Sequence, residues 1–379
     1  MPLTELRLQD VRCLQSAELQ LHPGTNLIIG ENGAGKTTLL EAIYLLGRGR
    51  SFRTRHVAQL IRHGQHSCWA AGRVSSTAEP FVPMQPPGLQ LPITGGVADS
   101  SFVGDEAQRR IDVSSDGEHV TGRIDGQPVP SLAELSHVLP VQAIDPGIHR
   151  LVEEGPAQRR RWLDWTVFHV EPGFMGQWQG YTRALRQRNA ALRGRSDPTP
   201  WERELIRLGE GLTLARRRVL AELQPVWGVT AEALGAVEAT LDLSRGWSRE
   251  ESLAEALERH RDRDRDRGVT GQGPHRCDVV LRVDGRPVRD VVSRGQQKLL
   301  GAAMALTVMR YLVQRIGTVP LLLLDDPAAE LDASHTQALL SMAVALGGQC
   351  VVTALHPQML PAPGPQRVFH VEREGVKQL

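Results

Sequence analysis

The stretch Gly30-Glu31-Asn32-Gly33-Ala34-Gly35-Lys36-Thr37-Thr38 constrains this chain more than any other. It satisfies the spacing G-x-x-x-x-G-K-[ST] without substitution, and its flanks suit the pattern. The apolar run Leu27-Ile28-Ile29 reads as a strand ending at Gly30, and Leu39, Leu40, Ile43 and Leu46 then recur at helical spacing. Strand, glycine-rich turn and helix N-terminus together make a cradle for phosphates. Backbone N–H groups close around the β-phosphate, and the helix end adds partial positive charge. Lys36 is expected to reach the β- and γ-phosphates and Thr37 to hold Mg²⁺. Elsewhere lysine occurs only at Lys298 and Lys377, so composition alone does not put one in this loop. The expected ligand is a nucleoside triphosphate.

At 379 residues, with 41% hydrophobic and 23% charged positions, the chain suits a soluble globular protein of two or so domains. No apolar run approaches the roughly 20 residues of a membrane span, and the N-terminus lacks a signal-peptide profile. A membrane partner is not expected. Cys13, Cys68, Cys277 and Cys350 are scattered, offering neither a zinc pattern nor a disulfide framework, so a cytoplasmic setting is expected. The formal net charge of +1 favours no partner. Locally, however, Pro156–Leu220 holds 13 arginines, no lysine and six acids. That segment is either a solvated helical surface or a polyanion-binding face.

In chain order, Leu3–Leu8 and Ala17–Leu21 alternate polar and apolar residues and read as a strand pair turning around Asp10-Val11-Arg12. Gly47–Thr54 is a basic loop, readable as a connector, as a positive helix C-terminus, or as a contact to nucleotide or nucleic acid. Short strands are expected at Trp69–Val74, Arg110–Ser114 and His119–Ile124, with a Pro- and Gly-rich loop over Val82–Gly104 between the first two. Leu139–Ile144 gives another apolar strand, stopped by Asp145-Pro146.

From about Glu153 the period becomes helical. Trp178, Tyr181, Leu185 and Leu192 share a face, and Arg193–Pro200 breaks the helix. Trp201, Leu205, Leu208, Leu212, Ala215 and Val219 then form a heptad seam. The two segments predict an antiparallel helical hairpin whose second arm runs roughly 35 Å. Ser252–His260 reads as another helix. Arg261–Arg267 alternates charge and reads as a solvated or flexible run. Asp284-Gly285 marks a hairpin turn after the strand Cys277–Val283.

Leu321-Leu322-Leu323-Leu324-Asp325-Asp326 is a buried strand ending in two carboxylates, the form of a Walker B element. A parallel strand delivers such acids to the carboxyl edge of its sheet, beside a phosphate loop. Asp325 is expected to hold the Mg²⁺ shell and Asp326 to orient the attacking water, so that Lys36, Asp325 and Asp326 form the expected catalytic set. Ser293-Arg294-Gly295-Gln296-Gln297-Lys298 opens the preceding helix and resembles the signature motif of ABC-type ATPases. Glu330-Leu331-Asp332 resembles their D-loop. The superfamily resemblance implies that Ser293, Arg294, Gly295 and Gln296 contact ATP held by a second copy.

Lys36 and Ser293 stand 257 residues apart with only about three heptads per arm between them. A transporter energising subunit would place the signature much closer, and Rad50-like ATPases insert far longer coiled coils. The chain resembles the RecF family over nearly its whole length. The resemblance rests on Gly30–Thr38, Arg50-Ser51-Phe52-Arg53-Thr54, Asp145-Pro146, the stretch Gly155 to His169, Ser293–Leu300, Asp325-Asp326 and Glu330-Leu331-Asp332. It implies an α/β ABC-type ATPase head, residues 1–150 and 270–379, with an inserted helical arm over 151–269. It also implies a slow, DNA-stimulated ATPase that dimerises on Mg-ATP at gapped or single-/double-strand junction DNA and assists RecA loading with RecO and RecR. By the same resemblance Gln142 is a Q-loop glutamine near ATP and Mg²⁺, Arg12 a nucleotide contact and Arg53 a sensing finger. Asp326 stands where most ABC ATPases have Glu, which suits a switch more than a motor. His356 follows Thr353-Ala354-Leu355, one departure from the usual switch-histidine position. A transporter subunit and an architectural DNA-bridging protein with a vestigial ATP site are the alternatives.

Overall fold

Burial alternates along the first strand, with Leu6 and Leu8 inside and Arg7 and Gln9 outside, as a sheet with one solvated face requires. The computed structural model describes residues 2–75, 108–359, 364–372 and 375–379. The loop expected over Val82–Gly104 lies outside the described residues. The chain divides into two compact units, Met1–Ile148 with Met304–Leu379, and His149–Ala303.

The first unit opens with β1 (Leu3–Val11), β2 (Leu14–Gln20), β3 (Thr25–Ile29) and α1 (Lys36–Arg48). It continues through β4 (Cys68–Ser75), β5 (Gln108–Ser115), β6 (Val120–Ile124), β7 (Gln127–Pro128), α2 (Leu135–Val138) and β8 (Val141–Ile144). All of these strands except β3 and β8 form an antiparallel sheet in the order β2-β1-β4-β5-β6-β7. Leu39, Leu40, Ile43 and Leu46 of α1 are fully buried and share one core with Leu6, Leu8, Val113, Leu323 and Val351. The basic loop after α1 is anchored: the buried Ser51 hydroxyl donates to Glu41 and accepts from the Arg53 and Thr54 amides.

The second unit holds α3 (Arg150–Glu153), α4 (Pro156–Val170), α5 (Phe174–Arg193), α6 (Thr199–Ala233), β9 (Thr240–Ser244), α7 (Leu253–Arg259), α8 (Arg261–Arg267), β10 (Asp278–Val283) and β11 (Arg286–Pro287). α5 and α6 form the expected hairpin, with Asp197 accepting the Thr199 amide and hydroxyl at the break. α6 is longer than the heptad seam suggests. Its 35 residues span about 52 Å, and Pro225 sits within it. The seam also differs from the expected one. Trp178 and Trp201 are each 41% exposed, and the buried face of α5 runs through Tyr181, Ala184, Arg188 and Leu192.

A buried arginine on that face is stabilised only by partners. Arg188, with no exposed surface, donates to Glu202 at 3.1 Å and to Asp264 and Thr270 at 2.8 Å each. The reading of Arg261–Arg267 as a solvated run holds for Asp262, Arg263, Arg265, Asp266 and Arg267, which are exposed, but not for Asp264. The segment is helix α8, and Asp264 within it is 2% exposed, accepting also from the Gly271 amide at 2.9 Å. Other arginines of the Pro156–Leu220 segment serve similarly, with Arg159 paired to Asp278 and Arg216 to Asp164. Nearby, Tyr181 hydrogen-bonds His275 Nδ1 at 2.7 Å, and burial pushes the His275 imidazole down to about 4, so it is neutral near pH 7.

β10 pairs antiparallel with β9, and Asp284-Gly285 turns it into β11 with both residues at positive φ, as a type I′ hairpin demands. Because of the β9 pairing and the Arg159–Asp278 bond, residues 270–303 cluster with the helical unit, not with the head expected to begin at 270. The boundary falls inside α9 (Arg294–Ile316), which carries the chain back to the first unit. α9 is long and apolar enough to cross a membrane by composition, but 72% of its apolar window is buried in the protein. The chain then forms β12 (Leu321–Leu324), α10 (Pro327–Glu330), α11 (Ala333–Ala345), β13 (Cys350–Ala354), β14 (Arg367–Glu372) and β15 (Gly375–Gln378). The second sheet of the first unit has the order β15-β14-β3-β13-β12-β8, parallel except at β15.

Candidate nucleotide-binding site

Parallel pairing brings three strand ends to one edge. Ile29 lies opposite Ala354, and Leu324 lies opposite Val352, so Gly30 and Asp325 leave the sheet side by side with β13 between them. At this carboxyl edge an α/β sheet binds its ligand. The loop that follows β3 needs its glycines. Gly35 has φ 116° and its missing Cβ would meet Leu14 Cδ2 at 2.8 Å, while Gly30 has φ 152° and would strike the Val371 carbonyl at 2.5 Å. Glu31, Asn32 and Gly33 face solvent, whereas Ala34, Gly35 and Lys36 are buried.

Lys36 is 8% exposed and donates to the Gly30 and Glu31 carbonyls at 2.7 and 3.0 Å. Burial pulls its ammonium below the usual lysine range, against the opposing influence of the Asp326 and Asp325 carboxylates. The Thr37 hydroxyl lies 2.9 and 3.1 Å from the two oxygens of Asp325. A hydroxyl and a carboxylate so placed are hard oxygen donors suited to Mg²⁺ alongside phosphate oxygens and water. The expected pair is therefore assembled from residues 288 positions apart in sequence. Thr38 turns the other way, toward Cys13 Sγ at 3.5 Å.

Thr353, which carried no expected role, completes this edge. Its hydroxyl donates to Asp325 Oδ1 at 2.9 Å and accepts from the Asp326 amide at 2.8 Å. It is fully buried one residue past the Val352–Leu324 pair, so its neighbour is legible only once the β12–β13 register is known. Asp326 itself has φ 48°, unusual for a non-glycine residue, and opens α10 ahead of Pro327. Such backbone strain needs surrounding structure to hold it, and the Thr353 bond does so here. Thr353→Val keeps the shape and deletes both bonds. It should cost about 1–3 kcal/mol in chemical denaturation and slow ATP turnover more than it weakens ATP binding.

Two further residues sit differently from expectation. Gln142 lies mid-strand in β8 opposite Leu322, three residues back from the level of Asp325, so its side chain does not start from the carboxyl edge. Arg12 stands in the β1–β2 turn with φ 54°, and its Nε and Nη2 donate to Glu41 of α1 at 2.8 and 2.7 Å. It braces the helix that follows the phosphate loop. Arg53 is exposed, and His356 is exposed beyond β13. Asp332 caps α11, where the His335 amide, then the Ser334 hydroxyl and His335 ring, hold its carboxyl down to about 2.

In the second unit Ser293 caps α9, its hydroxyl accepting from the Gln296 amide at 3.3 Å. Ser293, Arg294 and Gly295 are exposed, and a Cβ on Gly295 would meet nothing nearer than Ser293 Oγ at 3.9 Å. This turn is open to another molecule. Gln296 faces inward instead, accepting the Val237 amide at 2.8 Å just beyond α6. A missed role follows from that bond: Gln296 ties the signature turn to the end of the long arm helix.

The model of the RecF/RecN/SMC N terminal domain family matches residues 2–377. The DNA replication and repair protein RecF of Thioalkalivibrio sulfidiphilus is 38% identical over 380 residues, covering 98% of each chain. The chain belongs to the RecF family. The Escherichia coli RecF protein is also 38% identical, over 94% of this chain and 93% of its own. A solved structure of the recombination mediator protein RecF with ATP, from the RecFOR pathway, superposes with a TM-score of 0.81 at 22% identity, covering 100% of this chain and 97% of that one. An Smc head bound to the C-terminal winged-helix domain of ScpA gives 0.55 at 13%. The RecF fold is thus an ABC-type ATPase head, as the motifs implied, and membership of a DNA replication and repair family sets aside the transporter reading.

Proposed function

We propose that this RecF-family chain is an ATP-gated DNA-binding protein of recombinational repair and replication restart. The observation that carries the reading is the edge where buried Lys36, the Thr37–Asp325 pair and strained Asp326 converge. Amides of Gly30–Thr38 and the Lys36 ammonium bind the triphosphate. Thr37 and Asp325 hold Mg²⁺, which when bound neutralises charge on the β- and γ-phosphates. Asp326, fixed through Thr353, orients the attacking water. The short reach of an aspartate suits slow turnover, so hydrolysis acts as a timer.

The exposed turn Ser293-Arg294-Gly295 supplies the other half of each site to a second copy. Mg-ATP then drives dimerisation on gapped or single-/double-strand junction DNA, and hydrolysis releases it. The RecF relatives and the solved RecF–ATP structure of the RecFOR pathway support a place beside RecO and RecR in RecA loading. Binding to a gapped duplex, measured with ATP, ADP or no nucleotide at two salt concentrations, tests the reading. ATP should tighten binding over both other states, with a salt-sensitive affinity. DNA binding indifferent to nucleotide would instead support an architectural bridging protein.

A further inference from the structure

The second unit carries charge that the nucleotide site does not use. Between α6 and β9 lies an open cleft of about 470 Å³ into which Arg217, Arg245 and Arg249 project. A second cleft of about 420 Å³ shares Arg245 and Arg249 and adds Arg282. The α6 arginines show the contrast. Arg216 is paired with Asp164 and Arg218 with Glu171, whereas Arg217 between them has no carboxylate in ion-pair distance among the described residues. The same holds for Arg245 and Arg249. Asp242 is the one acid lining either cleft, and Arg282 stands 3.4 Å from it.

The cleft is built. Gln224 of α6 donates to the Leu241 carbonyl of β9, which ties its two walls together. Arg245 is held by the Ser248 and Glu251 carbonyls and lies over the Trp247 ring, 4.9 Å from its centroid. Its Nε is shielded from water and has no acceptor, so the guanidinium is placed but not satisfied. Three guanidiniums without counter-charge, spread over two clefts that share two of them, form a track longer than one phosphate needs.

We propose that these joined clefts hold the phosphodiester backbone of a nucleic acid, a contact surface in the helical unit separate from the nucleotide site. The proposal rests on the reading that this chain binds DNA. Contacts of guanidinium to phosphate position a duplex without reading its sequence, and they make binding salt-dependent.

The test uses the full chain with Arg217 and Arg249 both changed to Ala, two exposed side chains outside the fold's internal ties. Binding to a fluorescent gapped duplex is followed by anisotropy with ATP across a salt series. The double variant should bind more weakly, and its slope of log K against log[salt] should be shallower by about 2, near 0.9 per lost phosphate contact. ATP binding should be unchanged. If wild type binds the duplex and the variant matches it in affinity and slope, the proposal fails while the function stands. If wild type does not bind the duplex with ATP, the functional reading fails and this proposal with it. An unchanged slope for DNA with lost binding of polyglutamate would overturn the proposal in favour of an acidic protein partner.

Discussion

Lys36→Met should lower ATP affinity by a factor of about 30 or more and remove ATP-dependent pairing and DNA retention with it. The side chain is the buried cation of the loop, with Nζ poised between the Gly30 and Glu31 carbonyls. Methionine nearly matches its volume, so the core around α1 is kept while the charge is deleted. Truncating one partner of a desolvated charge pair costs roughly 2–5 kcal/mol, which sets the factor. Because methionine takes the donor away from the Gly30 and Glu31 carbonyls, stability should also fall, by about 1–3 kcal/mol. Titration calorimetry with Mg-ATP reads the first effect and thermal denaturation the second. ATP binding within tenfold of wild type would show that Lys36 does not hold the phosphates.

Arg188→Ala should destabilise the helical unit by about 3–5 kcal/mol, the range for breaking a buried charge network from one side. Arg188 bonds to α6 through Glu202, to α8 through Asp264 and to the following loop through Thr270. Removing it strands Asp264, which is 2% exposed and keeps only its amide bond from Gly271. Glu202 suffers less because Arg261 also reaches it at 2.9 Å. Asp264→Asn, which keeps the shape but not the charge, should cost less than Arg188→Ala. Urea denaturation of both variants decides it, and a loss under 1 kcal/mol for Arg188→Ala would mean that α5, α6 and α8 are held by apolar packing alone.

That network explains much of what the sequence hid. The phosphate loop, the β12 strand and the Asp284-Gly285 turn are local signals, since the residues that define them are contiguous. The hairpin of α5 and α6 is nearly so, because period and break lie in one stretch. Asp264 was different. Alternating charge in Arg261–Arg267 suggests solvent on every side, and its partner Arg188 lies 76 positions away. An arginine at a core-facing position likewise looks like an error in the seam until its acids are known, which is why Trp178 and Trp201 seemed better candidates for burial.

In the head, Thr353 needed the β12–β13 register, and the same kind of register sets Gln142 three residues back from the level of Asp325. Much of the arginine excess in Pro156–Leu220 turned out to be internal, with Arg159, Arg188 and Arg216 all 6% exposed or less. What is left for solvent is a smaller set that includes Arg217.

The central claim is that each nucleotide site is completed by a second copy through Ser293-Arg294-Gly295. Ser293→Arg fills the open turn with a long cation while leaving the phosphate loop untouched, so it separates binding ATP from what ATP does. Sedimentation velocity with and without Mg-ATP, paired with titration calorimetry on the same samples, measures both. An ATP-dependent dimer is predicted for wild type, and for Ser293→Arg a monomer that still binds ATP, with the affinity that wild type shows at concentrations too low to dimerise. Dimers of Ser293→Arg in ATP equal to those of wild type would contradict it.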